Sequence, residues 1–246
     1  MTTPQSTSTP ESRDANAPVG DETDLNLRQR TLIPSIDSPV LIAGVGAVGL
    51  QIARQLVTMG AKEIHLVDPD IVEPHNVWPQ GYSWASCKLF KVEAAKSILL
   101  SLAPQNTLTI STLPGTIEYF WERSIQLLAG DGLIVFCCMD SMEATKFLWE
   151  AVESNFLFFG DVRVGGETLR SLAESYERTP FHYPSTLYSD DEAYEARCTS
   201  RMTFPMANMA ASFLLEGQFL RWLRDEPFDR DVIFNAAALE IMERSS

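Results

Sequence analysis

The chain is poor in the residues that build metal and disulfide frameworks, and poor in positive charge. Of its 4 cysteines, Cys87, Cys137, Cys138 and Cys198, no two are spaced C-x-x-C, which leaves no tetrathiolate zinc site. Its 3 histidines, His65, His75 and His182, join no cluster with metal-ligand spacing, and no nucleophile elbow appears. Zinc is therefore not expected, and reduced thiols in the cytoplasm are the simplest state. Lys and Arg number 19 against 33 Asp and Glu, a formal charge of −14. That balance repels phosphate backbones and anionic membranes, so no nucleic acid is expected as partner and a neutral or basic protein fits better. No apolar run approaches the roughly 20 residues that span a bilayer, and the polar N-terminus lacks a basic-then-apolar signal region. Neither membrane insertion nor export is expected.

What is present is a core. With 246 residues, 45% of them apolar and 10% aromatic, the chain can fill one large α/β domain or two small ones. Residues 1–24 are mostly Thr, Ser, Pro, Asp and Ala and offer too little apolar surface to offset the entropy of ordering, which predicts a disordered tail. Order begins near Leu25. "PVLIAG" (Pro39–Gly44) reads as a buried strand, Leu50–Met59 as a helix stopped by Gly60, and Glu63–Val67 as a second strand. Lys91–Leu102 is an amphipathic helix, Leu108–Ser111 a weak strand and Gly132–Cys138 a strong one. Met142–Glu153 is helical and Phe156–Phe159 opens another strand. This alternation predicts a Rossmann-like α/β fold, a mostly parallel sheet with helices on both faces. Beyond residue 160 the pattern changes: Asp161–Arg170 reads as a strand turning back, and 174–200 as a polar, mobile insertion. Pro205–Leu223 reads as a long helix, and "VIFNAAALEIM" as a closing strand. Cys137 and Cys138 fall in an apolar strand and are expected in the core.

Between the first strand and helix stand Gly44, Gly46 and Gly49, a G-x-G-x-x-G turn. The first glycine permits the turn, the second lets phosphate approach the backbone, and the third lets helix and strand pack closely. The helix N-terminus offers free N–H groups and partial positive charge. Asp68, nineteen residues after Gly49, ends the second strand where a carboxylate can bind a ribose hydroxyl. NAD, FAD and ATP users share this half-site, so discrimination must come from the residues downstream of it.

The stretch "LVDPDIVEPHNVWPQG" (Leu66–Gly81) is dense in acids and amides. Asp68–Glu73 reads D-x-D-x-V-E, Asn76 and Gln80 come next, "KVEAA" starts at Lys91, "CMDS" ends in Asp140–Ser141, and Cys198 precedes a late apolar helix. In this order the motifs resemble the ThiF/MoeB/HesA family, relatives of the ubiquitin-activating enzymes, over most of the chain from about Leu25, as one ThiF-like adenylation domain (25–246). The resemblance implies ATP- and magnesium-dependent adenylation of the C-terminal carboxylate of a ubiquitin-like or sulfur-carrier protein, by a homodimer. Asp68 would hold the ribose, with Asp70, Asn76 and Gln80 by the sugar and phosphates. Lys91 would add its ammonium to a helix dipole, and Asp140 would bind magnesium. Each also has a plainer role: Asp70 as a turn carboxylate, Lys91 as a solvated helix residue, Asp140 as a helix N-cap.

The family usually carries an arginine immediately before the glutamine, and here that position is Pro79, with neither charge nor N–H. "LRQRTLIP" (Leu27–Pro34) resembles the family's N-terminal arginine-glutamine element, with Arg28 the best match and Arg30 beside it. The resemblance implies an arginine reaching the partner subunit's site in trans. Cys198, between Arg197 and Arg201, matches the position where relatives carry a cysteine that accepts the activated carrier covalently. The alternative is a nucleotide- or protein-binding module of the same fold that has lost adenylation.

Overall fold

The computed structural model describes residues 29, 31–128, 132–188 and 202–243. Arg28, Arg30, Arg197, Cys198, Arg201 and the 1–24 segment lie outside the described residues.

Eight strands form one sheet: β1 Val40–Ala43, β2 Glu63–Val67, β3 Thr109–Leu113, β4 Leu133–Cys137, β5 Phe156–Gly165, β6 Thr168–Ser175, β7 Asp231–Asn235 and β8 Glu240–Glu243. Their order is β3-β2-β1-β4-β5-β6-β7-β8. β1 to β5 run parallel, and β5 to β8 antiparallel. The expected mostly parallel sheet with helices on both faces is what the chain forms. Because β1 pairs with β2 on one side and β4 on the other, a crevice opens at the carboxyl ends of these strands. Such a switch point is where ligands bind in open α/β sheets.

β1 explains the two-sided burial. Val40 and Ile42 point into one hydrophobic cluster, with Ile64, Leu66, Leu214 and Phe219, while Leu41 and Ala43 point into the other, with Val135, Trp149 and Phe159. Strand side chains alternate faces, so a strand covered on both sides reads as a continuous apolar run. The helices are α1 Ala47–Thr58, α2 Val77–Gln80, α3 Lys91–Leu100, α4 Ile117–Leu128, α5 Met142–Val152, α6 Phe204–Leu214 and α7 Leu220–Leu223. Among the described residues, none is long and apolar enough to cross a membrane.

The structure differs from the sequence-based expectation in several places. Asp161–Arg170 is not a separate strand: β5 continues through Gly165 and turns back into β6 from Thr168. α4 was not expected; its apolar residues Ile117 and Phe120 sit three apart and both bury. The long helix near the C-terminus is broken by a π-helical segment, Leu215–Phe219, between α6 and α7. The closing strand is a hairpin, β7 and β8. The polar stretch after residue 174 starts inside β6, and Tyr183–Thr186 forms a 3-10 turn, with the Tyr183 ring packed at an angle against Trp149 and Phe159.

Candidate functional site

A cleft of about 640 Å³ opens at the switch point. The glycine turn forms its floor. Gly44 has φ +89°, and a Cβ there would stand 2.5 Å from the Cys138 carbonyl oxygen. A Cβ on Gly49 would overlap the Gly44 carbonyl, so both positions require glycine for backbone reasons. Gly46 is different. A Cβ there would meet nothing within 4 Å, and its φ of −79° is ordinary, so the protein itself does not demand glycine. The free space lies over the N-terminus of α1, which has no side-chain cap and no acidic residue in its first turn. That is the cradle a phosphate needs, with orphan N–H groups and the positive end of a helix dipole.

Asp68 leaves β2 beside this turn. Its Oδ2 accepts the Val45 N–H at 2.7 Å and its Oδ1 the Asp70 N–H at 2.9 Å. Burial pushes its carboxyl above the usual carboxylate range, although the nearby Lys91 ammonium and these two N–H groups pull the other way. A carboxylate has about four lone-pair positions, so two remain for ribose hydroxyls. Lys91 opens α3 with its side chain 8% exposed and its Nζ 2.7 Å from Asp70 Oδ2, while the Asp70 side chain is 64% exposed. Lys91 is thus a buried ammonium aimed at a solvent-facing carboxylate, rather than a solvated helix residue.

Asn76 Oδ1 accepts the Glu73 N–H at 2.9 Å, which orients the amide with its nitrogen left as donor. Gln80 lines the cleft with its Oε1 buried and without a hydrogen-bond partner. A buried acceptor left unpaired costs about 1–3 kcal/mol, so a ligand donor there would recover that loss. Pro79, between them in sequence, lies in α2 outside the cleft lining.

β4 ends at Cys137, and the next residues, Cys138 to Ser141, run along the cleft. Cys137 is buried as expected. Cys138 is not sealed in the core: it is half-buried and lines the cleft, because the strand ends one residue earlier. The N-cap of α5 is Ser141, whose Oγ accepts the Ala144 N–H at 3.2 Å. Asp140 is exposed and free of that duty, which rules out the plainer capping role. Among the described residues, no group of three or more His, Cys, Asp or Glu could hold a metal ion. Asp140 alone fits a magnesium ion that takes one carboxylate and completes its shell with nucleotide phosphates and water.

Gly44, Gly46, Asp68, Asp70, Asn76, Gln80, Lys91 and Asp140 therefore face one cleft. The sequence motifs do not include its far wall. Asp161 and Arg163, near the end of β5, line it with Tyr188 and Met202. Two charges at i and i+2 in the apolar "FLFFGDVRVGG" share one strand face, and that was the available signal.

The profile of the ThiF family matches residues 34–236. The adenylyltransferase and sulfurtransferase MOCS3 of Drosophila grimshawi is 30% identical over 135 residues, 54% of this chain and 28% of its own length. The chain thus spans less than a third of that curated relative. The crystal structure of PaaA superposes with a TM-score of 0.74 at 16% identity, over 96% of this chain and 77% of PaaA. E. coli MccB, solved with ATP, superposes with a TM-score of 0.62 at 16% identity, over 85% of this chain and 64% of MccB. It has also been solved with MccA bearing a selenomethionine and with N-formylated MccA. With the profile covering most of the chain and the glycine turn, Asp68 and Lys91 gathered at one cleft, the protein belongs to the ThiF family.

Proposed function

We propose that the chain is a cytoplasmic, homodimeric adenylyltransferase that activates the C-terminal carboxylate of a small ubiquitin-like or sulfur-carrier protein. The observation that carries this reading is the open space over Gly46 at an uncapped helix N-terminus, in one cleft with the buried Lys91 ammonium. In the reaction an oxygen of the carrier's carboxylate bonds to the α-phosphorus of ATP. The bond from that phosphorus to its bridging oxygen breaks, pyrophosphate leaves, and the carrier keeps an acyl-adenylate.

Nearly all the catalysis asked of this chain is positioning and electrostatics. The α1 N-terminus and Gly46 seat the phosphates, and Asp68 takes ribose hydroxyls on its remaining lone pairs. The Asn76 amide donates toward the sugar or phosphates, and Lys91 exchanges Asp70 for developing phosphate charge. Asp140 would hold magnesium, which when bound neutralises charge on the phosphates. Arg28 is proposed to reach the partner's cleft in trans. Cys198 is proposed to take the activated carrier as a covalent adduct; Tyr188 and Met202, the described residues on either side of 189–201, both line the cleft. The exposed Trp78 (88%) and Trp84 (72%), with Leu89 and Phe90, offer an apolar surface for a second copy. Sedimentation at micromolar concentration checks the dimer.

The MOCS3 name and the MccB complexes support the activity class. The test is ATP–pyrophosphate exchange with candidate carriers encoded by neighbouring genes. Exchange that disappears in Asp140→Ala supports adenylation. ATP binding without exchange for any carrier would favour the second reading, a nucleotide- or protein-binding module, which Pro79 specifically suggests.

A further inference from the structure

The sheet order sets the length of the cleft. Asp68 leaves β2 and Arg163 stands on β5, with β1 and β4 between them, so the cleft crosses three strand spacings, roughly 14 Å. The phosphate cradle belongs to β1 and the ribose carboxylate to β2. That leaves the half over β4 and β5 for whatever the nucleotide reacts with. In register, Asp161 sits beside Cys137 at the end of β4, and Arg163 lies two residues further out on the same face.

Arg163 is held at several points. Its Nε donates to Asp161 Oδ2 at 2.8 Å, Nη1 to the Thr186 carbonyl at 2.8 Å, and Nη2 to Thr186 Oγ1 at 3.3 Å. Asp161 Oδ2 also accepts the Tyr183 hydroxyl at 2.9 Å. The rings of Tyr183 and Tyr188 stand 5.6 and 5.7 Å from the guanidinium carbon. A guanidinium has five N–H donors. Asp161 and Thr186 engage three, which leaves one N–H on each terminal nitrogen of a guanidinium whose orientation is fixed. A buried ion pair adds little net stability over apolar packing, so what this one supplies is direction.

Lys91 and Arg163 are the Lys and Arg residues of the cleft lining among the described residues, one at each end. The same lining carries Asp68, Asp70, Glu73, Asp140 and Asp161, a field that repels an incoming carboxylate. We infer that Arg163 binds the reacting carboxylate of the acyl substrate, with Tyr188 and Met202 flanking the chain behind it. The inference rests on the adenylyltransferase reading and adds to it the residue that selects a free acid. A held guanidinium suits a carboxylate because its charge and a remaining N–H can make a charge-assisted hydrogen bond to a carboxylate oxygen.

The test uses the full chain with a non-hydrolysable ATP analogue. The probe is a pool of peptides with random C-terminal sequence, each made as the free acid and as the C-terminal amide. The wild type is expected to retain free acids over amides. Arg163→Met should lower that preference by about 10- to 100-fold, the scale of a lost charged hydrogen bond. Arg163→Lys, which keeps the charge but not the planar guanidinium held by Asp161 and Thr186, should restore only part. Affinity for ATP, measured by calorimetry, should stay within about twofold in both variants, which a general loss of structure would not allow. Wild-type preference retained in either variant overturns the inference, as does a wild type that binds ATP but ignores the acid–amide difference. Should Arg163→Met fail to fold, Arg163→Lys decides alone on the same criterion. A wild type that binds no ATP overturns the adenylation reading itself, which separates the two failures.

Discussion

Asp68 Oδ2 accepts the Val45 N–H at 2.7 Å, so the carboxylate expected to bind ribose also ties the glycine turn to β2. Its other oxygen caps the Asp70 N–H at 2.9 Å. The residue therefore has a structural role beside the proposed ligand role, and substitutions should separate them. Asp68→Asn keeps one acceptor but turns an NH₂ toward the second N–H, leaving a buried donor unpaired at a cost of about 1–3 kcal/mol. Asp68→Ala loses both acceptors and should be the less stable variant by urea unfolding. Both should weaken ATP binding by calorimetry. An Asp68→Ala protein as stable as the wild type would contradict the tie.

Gly46→Ala tests the phosphate cradle without disturbing the fold. No atom lies within 4 Å of the new methyl and φ is −79°, so stability should hold or rise by about 0.4–1 kcal/mol through the unfolded chain. ATP affinity should fall at least tenfold, because the methyl occupies the space the phosphates need. Gly44→Ala, forced against the Cys138 carbonyl at φ +89°, should instead fail to fold well. Thermal unfolding beside ATP titration distinguishes the two glycines.

Lys91→Met should keep the apolar packing of the side-chain stem and remove the ammonium. The expected loss in exchange rate is about 10²–10³, on the scale of a deleted transition-state donor. Asp70→Ala should cost less, since it frees Lys91 for phosphate while leaving a buried charge without its partner. An Asp70→Ala loss equal to that of Lys91→Met would mean that the pair acts as a structural unit.

The half of the cleft proposed for the nucleotide was legible in the sequence because its residues lie in contiguous motifs. Glycine spacing, a strand-end carboxylate and a helix-opening lysine each fix position by local geometry. The far wall was not, because Arg163 depends on Thr186 and Tyr183, twenty or more residues away, and only the β5 register brings Asp161 beside Cys137. The sheet was readable from its apolar runs, since β1, β2 and β4 are almost wholly buried. α4 escaped because its apolar residues are interleaved with Glu118, Glu122 and Arg123, and the β7–β8 hairpin because Asn235 hides the turn inside one apolar run. That turn is made by Asn235 Oδ1, which accepts the Ala237 and Ala238 N–H groups.

Acid stability should show opposing contributions. Burial alone would raise Asp231, but hydrogen bonds from Arg170 at 2.8 and 2.6 Å and from His182 at 3.1 Å hold its carboxyl below the usual range. A folded pKa below the unfolded one gives stability that is present above about pH 4 and lost as pH falls through the folded value. Glu174 has the reverse sign. Burial raises it despite the Tyr183 and His182 N–H groups, so its charge costs stability at neutral pH and acid relieves that cost. Asp231→Asn should therefore lose roughly 2–3 kcal/mol at pH 7 and flatten the decline below pH 4. Urea midpoints measured from pH 3 to 7 check both limbs. An unchanged acid limb in Asp231→Asn would count against the assignment.

Pro79 can be tested by substitution. It lies in α2, between Asn76 and Gln80, both of which line the cleft. The residue is half-buried and neither its ring nor its missing N–H is required by the hydrogen bonds of the turn, where the Gly81 N–H bonds the Val77 carbonyl at 3.1 Å. An arginine there should be tolerated. If Pro79 is what limits adenylation, Pro79→Arg should raise the exchange rate by up to ~100-fold with ATP affinity changed far less, because the added charge acts mainly on the departing pyrophosphate. If an arginine in trans already fills the role, Pro79→Arg should leave the rate unchanged while Arg28→Ala lowers it. The two variants assayed side by side by pyrophosphate exchange decide which charge does the work. A null effect in both, with exchange intact, would exclude either residue as the compensating cation.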